Sequence, residues 1–393
     1  MSGPLAGVRV VELAGVGPAP YCGMLLADLG ADVVRVDRVP AGPPRTGPAE
    51  GLDALVDGIL GRGRRSVALD LKHPDGLAAA RDLVARADAL VEGFRPGVTE
   101  RLGLGPRECL ARNPRLVYGR LTGWGQDGPL AATAGHDLDY IAVAGVLAHV
   151  GNRGGRPVPP LNLVGDFAGG GLLMAFGIAA ALVETSRSGR GQVVDAAMVD
   201  GAASLMTMMF EMHGRGGWDE RRGTNANDSG SHFYDTYETA DGGHVAVAAM
   251  EPRFHAELLD RLGLTGDPAF ADQWNPATWD AASARLAAVF RTRTRAEWAD
   301  VFAGSDACVA PVLTMSEAPR HPHNVARATF VEVAGVSQPG PVPRFDRTPG
   351  AVARAAPTVG EHTEEVLGEL GRTPERIAEL VASGAAAAPG RLN

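Results

Sequence analysis

The stretch AGHDLDYIAVAGVL (Ala134–Leu147) sets His136 and Asp137 side by side, behind Gly135 and ahead of an apolar run. Ile141, Val143, Ala144 and Leu147 show no two-residue alternation, so the run reads as a packed helix. Asp137 can cap that helix, because a short carboxylate near a helix start accepts from free backbone N–H groups. His136 has no such role there, and an imidazole is suited to exchanging a proton near neutral pH. NLVGDFAGGG (Asn162–Gly171) places Asp166 directly ahead of an apolar helical run, the position of an N-cap. AVAAMEPRF (Ala246–Phe254) puts Glu251 at a strand end with Pro252 opening the next helix. Glu caps less well than Asp or Ser, so the capping explanation is weaker for Glu251.

Other candidates fall away or stay open. AGVGPAP carries Gly15 and Gly17 after a first strand, with Asp37 ending the second, as in a dinucleotide fingerprint. Pro20 replaces the third glycine, and Pro18 and Pro20 fit better as first-turn prolines of a helix. Basic residues cluster at Arg35 and Arg38 around the second strand, at Arg62, Arg64 and Arg65 in GRGRRS, and at Lys72 and Arg95. Each singly reads as a solvated charge. Together, several follow predicted carboxyl ends of parallel strands, where open α/β sheets bind ligands, and they suit a phosphorylated one. His321-Pro322-His323 lacks metal-site spacing, and no G-x-S-x-G elbow is present.

The elements that must hold these residues alternate. VRVVEL (Val8–Leu13) reads as a buried strand, Pro18–Gly30 as a helix and Asp32–Asp37 as a second strand, a βαβ unit that implies a parallel sheet. Ser66–Leu71, the helix Pro74–Arg86 and Ala87–Phe94 repeat the pattern, and Arg115–Gly125 adds a strand. Helices around Phe167–Arg187 and Ala196–His213, with QVVDA between them, complete an open α/β domain. His213–Ser231 has glycine and charge without periodicity and reads as a linker. Phe233–Met250 reads as two strands around ADGG. Helices follow at Pro252–Leu262, Trp279–Phe290 and Thr294–Phe302, the last with a Thr294/Glu297 capping box, then a short strand in Cys308–Leu313. Ser337–Pro357 reads as an extended tail, Glu361–Gly371 as a final helix, and ASGAAAAPGRLN as a frayed end. The expected division is a large domain over 1–212, a linker over 213–230, a small α+β domain over 231–335, and a return linker with a C-terminal helix packed on the large domain over 336–393.

Bulk properties narrow the classes. With 393 residues, 45% hydrophobic and 21% charged, the chain can bury two cores and is not a disordered polymer. A net charge of −9 argues against nucleic acid. Cys22, Cys109 and Cys308 are far apart, against zinc and disulfides and for a reducing cytosol. Met1–Arg9 lacks the pattern of a signal peptide, and the apolar Gly169–Val183 is broken by glycines and short for a bilayer. A cytoplasmic protein with no membrane partner is expected.

GHDLDY, LNLVGDFAGGG, GRGQVVDAAMVDG and MEPRF, taken together, resemble the alpha-methylacyl-CoA racemases, within the family III CoA-transferase superfamily. The likeness extends from VRVVELAGVGPAP through DACVAPVL to GEHTEEVL, with the family's GHDINY present as Gly135–Tyr140. The resemblance implies a Rossmann-like large domain, a smaller α+β domain and an interlocked homodimer. It implies a two-base racemase in which His136 and Asp166 flank the thioester α-carbon, one removing the proton while the other returns it. Such chemistry needs an acid and a base on opposite faces and donors at the thioester oxygen, for which the helix start at Asp166 is the expected source. Glu251 would orient His136, across the dimer, and Asp137 would share that task. By the same likeness Arg38, Leu69, Asp70, Leu71, Lys72, Gly93 and Arg95, with Gly135, Leu138, Asp139 and Tyr140, contact CoA. No metal or cofactor is implied, CoA being part of the substrate.

The chain departs from the family at NMLDGGAPFY, here NANDSGSHFY (Asn225–Tyr234), which leaves the acyl group open. Met198, Met206, Met208, Met209 and Met212 remain, as helix packing or as a surface that accommodates varied acyl chains. Two rival readings stand beside the racemase. In a CoA-transferase Asp166 would attack the acyl-CoA and carry the acyl group covalently. An acyl-CoA binding protein on the same fold would need neither base.

Overall fold

The computed structural model describes residues 2–40 and 58–389, and the chain divides into two compact units. The first comprises Met1–Ala144, Leu161–Leu205 and Val325–Asn393; the second comprises Gly145–Pro160 and Met206–Asn324.

In the first unit β1 (Arg9–Leu13), β2 (Asp32–Asp37), β3 (Arg65–Leu69), β4 (Ala89–Glu92), β5 (Val117–Thr122) and β6 (Gln192–Ala197) lie side by side in the order β3-β2-β1-β4-β5-β6. All five pairings are parallel. Ala89, Leu90 and Val91 of β4 are apolar and buried at consecutive positions because helices cover both faces. Val11, Val34 and Leu69 pack with the helices Pro74–Ala85, Thr363–Glu369 and Pro374–Ala382. Val10, Val33 and Val91 face the helices Pro18–Asp28 and Leu173–Ser188. Pro18 and Pro20 do sit in the first turn of their helix, with Gly17 ahead of them at φ 68°.

Several basic residues expected near a ligand belong to this core instead. Arg62 is bound by Asp28 at 2.6 Å, and Arg64 pairs with Glu12 at 2.7 Å with both side chains fully buried. Arg65 meets Asp32, Glu365 and Glu369, and Arg35 meets Asp37 at 3.0 Å. Buried charges persist only when paired, so these four guanidiniums are committed to the fold. Asp37 is likewise spent, since it also accepts from Ser66 Oγ at 2.5 Å. Gly23 makes room for the deepest pair, because a Cβ there would run into Glu12 and Arg64.

The apolar stretch expected to be short is longer than its glycines imply. A wide π-type helix over Leu163–Leu172 continues directly into the α-helix Leu173–Ser188. By length and composition this 26-residue helix could cross a bilayer. Its inner face is nevertheless a protein core, with Met174 and Ile178 fully buried beside β5 and β6.

The second unit holds an antiparallel sheet in which β8 (His244–Ala248) lies between β7 (Tyr234–Glu238) and β9 (Val309–Pro311). The helices Pro252–Arg261, Trp279–Phe290 and Arg295–Phe302 supply Leu258, Leu286 and Trp298 to its core. The Thr294/Glu297 capping box is present. Predicted Ala196–His213 is not one helix: β6 runs to Ala197, and two helices follow over Met198–Leu205 and Thr207–Gly214. His213–Ser231 is not a free linker either. Asn225 donates to Asp219 O and Asp228, and Arg153 donates to Gly223 O, which pins the segment within this unit.

The C-terminal region returns to the first unit. A hairpin of β10 (Phe330–Val333) and β11 (Val336–Pro339) precedes the irregular stretch, and Thr363–Glu369 is followed by a further helix, Pro374–Ala382. The expected frayed end is ordered through Pro389: β12 (Ala386–Ala387) pairs antiparallel with β3 and extends the described sheet to seven strands. Alanines suit that place because little space remains beside β3, and Ala385–Ala388 are all buried. Gly390–Asn393 lie outside the described residues.

Candidate active site

Strand order reverses between β1 and β4, and ligands of open α/β sheets bind outside the carboxyl ends of strands at such a point. Two cavities lie there. The larger, about 560 Å³, is lined by the residues after β1, β2 and β3, including Arg38, Leu69, Asp70, Leu71 and Lys72. The smaller, about 320 Å³, is lined by the turns after β1, β4 and β5 and contains Gly93, Arg95, Gly135, His136, Tyr140 and Asp166. Phe94 lines both. Its loop is anchored by the fully buried Glu92, whose Oε2 accepts from the Phe94 N–H at 2.8 Å while Oε1 accepts from Arg120 at 3.1 Å. Arg38, Lys72 and Arg95 are exposed, unlike the arginines locked in the core.

His136 is the N-cap residue of the short helix Asp137–Val143, with extended backbone (φ −132°, ψ 173°). The Asp139 carboxylate reaches back and accepts from the His136 N–H at 2.9 Å, which fixes the helix entry and leaves the imidazole exposed. Below it, the Tyr140 hydroxyl donates to Gly135 O and its ring meets Trp124 edge to face at 4.9 Å. A Cβ on Gly123 or Gly135 would strike that ring, so both glycines are required. Burial first, and the Asp166 charge second, push the Tyr140 hydroxyl up to about 12, and it stays protonated.

Asp166 is not an N-cap. The helix begins at Leu163 with Asn162 as its N-cap, which places Asp166 inside the first turn. The shift has a physical source 29 residues upstream: Asp137 Oδ1 accepts from the backbone N–H groups of Gly165 and Asp166 at 2.6 and 2.7 Å. Asn162 Nδ2 donates to Asp166 Oδ2 at 3.2 Å. A Cβ on Gly17 would lie 3.6 Å from the same oxygen, so the turn after β1 closes over it. Burial raises the Asp166 pKa most, and the Asp137 charge adds to that rise. The Asn162 hydrogen bond and the His136 imidazole oppose it.

The structure therefore brings His136, Asp166, Gly93, Arg95, Gly135 and Tyr140 to one cavity and Arg38 with Leu69–Lys72 to its neighbour. Leu138 and Asp139 lie exposed, outside both linings, and Asp137 is buried beneath the site. Glu251 belongs to the second unit, where it occupies the N-cap position of Pro252–Arg261 without making a capping hydrogen bond, and it is exposed. Sequence reasoning missed Asn162 and Glu92. Asn162 carried a signal, a cap-forming side chain four residues before Asp166; Glu92 carried none, being one acid at the end of an apolar strand.

The chain has counterparts among known proteins. Residues 5–363 match the profile of CoA-transferase family III. Proteins named alpha-methylacyl-CoA racemase from Mus musculus and Homo sapiens are 48% and 46% identical, with 96% of this chain and 96% of each relative aligned. The succinyl-CoA–L-malate CoA-transferase beta subunit of Chloroflexus aurantiacus is 32% identical, again with 96% of both chains aligned. Among solved structures, a CAIB/BAIF family protein from Brucella suis superposes with a TM-score of 0.81 at 28% identity, covering 94% of this chain and all of that one. Mycobacterium tuberculosis Rv3272 gives 0.76 at 28% identity, covering 92% of this chain and 99% of its own. By sequence over nearly its full length and by fold, the chain belongs to CoA-transferase family III.

Proposed function

We propose that the chain is an isomerase that inverts the α-carbon of 2-methylacyl-CoA thioesters by two-base 1,1-proton transfer through an enolate. One observation carries this reading: His136 and Asp166 line the same cavity, and burial raises the Asp166 pKa, the direction a proton-returning carboxyl needs. Removal of the α-proton by one base and delivery from the other, on opposite faces of the carbon, changes the configuration with no net exchange of atoms except that proton. The thioester carbonyl makes the proton acidic, so the scheme uses no metal and no cofactor. Because Asp137 already occupies the N–H groups of Gly165 and Asp166, the expected oxyanion donors at that helix start are consumed. The first turn of Asp137–Val143, beside His136, is the helix start left to the developing charge.

Arg38, Lys72 and Arg95 would bind the phosphates and Leu69–Leu71 the nucleotide portion of CoA. Two copies would associate, with Glu251 of the partner subunit orienting His136. An apolar exposed face supports association: Leu172, Phe176 and Val183 are 51%, 69% and 51% exposed along one helical run.

Asp166 would also serve a CoA-transferase as nucleophile, and the 32% identical relative bears that name. The purified protein, incubated with one epimer of a 2-methylacyl-CoA in deuterated water and no acid acceptor, distinguishes the two. The racemase incorporates deuterium at the α-carbon and forms the other epimer, and His136→Ala and Asp166→Ala each lower that rate at least about 100-fold. Full activity in His136→Ala, with CoA moving between carboxylic acids only when Asp166 is intact, establishes the transferase instead.

A further inference from the structure

Asp137 is only 4% exposed, although His136 and Leu138 on either side of it are exposed. Its Oδ1 takes two backbone donors of the neighbouring helix, and one of these is the N–H of Asp166 itself. Gly165 is what allows this approach: a Cβ there would sit 2.8 Å from that oxygen. The residue next to one base in the chain thus grips the backbone of the other. Among the described residues, Asp137 Oδ2 is buried without a hydrogen-bond partner. A carboxylate kept in that condition is costly unless the two bonds on its other oxygen compensate.

We propose that Asp137 is a positioning residue that sets the separation of His136 and Asp166, by tying the helix that starts beside the imidazole to the first turn of the helix that carries the carboxylate. This rests on the two-base reading of the site. Transfer across a planar carbon tolerates little error, because a misplacement of about 1 Å can cost on the order of 100-fold in rate. A clamp made of one side chain and two N–H groups holds both bases without touching the substrate. The same carboxylate has a second influence, since its charge, after burial, is a cause of the raised Asp166 pKa. The other groups facing Asp166 are His136 and Asn162, which lower it, and the neutral Tyr140 hydroxyl, with Arg95 in the same cavity lining.

Two substitutions separate clamp from charge. Asp137→Asn keeps an acceptor oxygen for both N–H groups and removes the charge. Asp137→Ala removes both. Amide hydrogen exchange on the two folded variants reads the clamp without any activity: protection of Gly165 and Asp166 is retained in Asp137→Asn and lost in Asp137→Ala. With a racemisable thioester, Asp137→Ala lowers kcat about 100-fold with KM within a few-fold. Asp137→Asn stays within about 10-fold of the parent, and the limb of its kcat–pH profile governed by Asp166 moves to lower pH. Unchanged amide protection in Asp137→Ala overturns the clamp, as does a parental kcat in that variant. A folded Asp137→Asn as inactive as the alanine variant also overturns it, because the carboxylate would then be acting as more than a clamp. If Asp137→Ala does not fold, the asparagine variant's exchange and pH profile decide alone. A parent protein that fails to exchange the α-proton removes the racemase reading and leaves the amide-exchange result to judge the clamp.

Discussion

At the residue scale, the chain sorts its basic groups by what surrounds them. Arg38 and Arg95 are exposed on the cavity linings, whereas Arg62 and Arg64 are buried with carboxylate partners. Phosphate contacts bind ground and transition states alike, so Arg38→Ala or Arg95→Ala raises KM for CoA thioesters about tenfold and leaves kcat near its parental value. Steady-state kinetics that show a collapsed kcat at unchanged KM would contradict this. Asn162 acts on the acid–base balance. Its hydrogen bond stabilises the ionised form of Asp166, so Asn162→Ala moves the Asp166 limb of the kcat–pH profile to higher pH, opposite in sign to Asp137→Asn. Sequence reading singled out His136 and Asp166 by type and motif, and the fold brings both to one cavity. It misread Arg62, Arg64 and Arg65 because their partners, Asp28, Glu12 and Glu365, stand far off in sequence, and composition cannot distinguish a paired arginine from a solvated one.

At the scale of elements, local chemistry was legible and remote chemistry was not. The helix Trp279–Phe290 and the Thr294/Glu297 cap follow from periodicity and from residues three positions apart. The start of the Asp166 helix was misjudged because its capping carboxylate comes from Asp137, on another element. The alanines before Pro389 looked frayed for a like reason: their order comes from β3, over 300 residues earlier. Close packing between elements makes Gly23 a sensitive point. Gly23→Ala forces a methyl group against the buried Glu12–Arg64 pair and is expected to destabilise the first unit by about 2 kcal/mol or more. Denaturant unfolding, compared with a surface control such as Gly368→Ala, where a Cβ meets nothing within 4 Å, measures the loss; an unchanged midpoint refutes it.

At the scale of the whole molecule, two imidazoles deep in the second unit couple folding to acidity. His232 Nε2 and His255 Nε2 lie 2.8 Å apart among Phe233, Phe270, Trp274 and Trp279, and His232 stands where the racemase motif has proline. Burial pulls both pKa values down to about 4 from an ordinary 6.5, with the neighbouring imidazole a further cause for His232. Between those values the unfolded chain binds protons that the folded chain refuses. The contribution to stability is therefore complete above about 6.5 and is lost as the pH falls through the window to about 4. The melting temperature of His232→Asn should decline less steeply over that window than that of the parent; parallel curves would show that the pair is not responsible. Association is tested at the same scale. A stable, fully active monomer in sedimentation at micromolar concentration would exclude the proposed dimer.

The pairing of β12 with β3 also has a consequence for how the protein is made. A ribosome releases β3 early, yet β12, which borders it, and Glu365 and Glu369, which hold Arg65, emerge only after the whole second unit. The nearly continuous Met206–Asn324 segment is released before them and has a core of its own. Synthesis thus presents the second unit whole while the first still has an unpaired strand edge, a state open to association with other chains. Nascent chains halted near residue 365 should consequently show a protease-resistant second unit and a first unit that remains cleavable, with resistance spreading to the sheet only after β12 has left the tunnel.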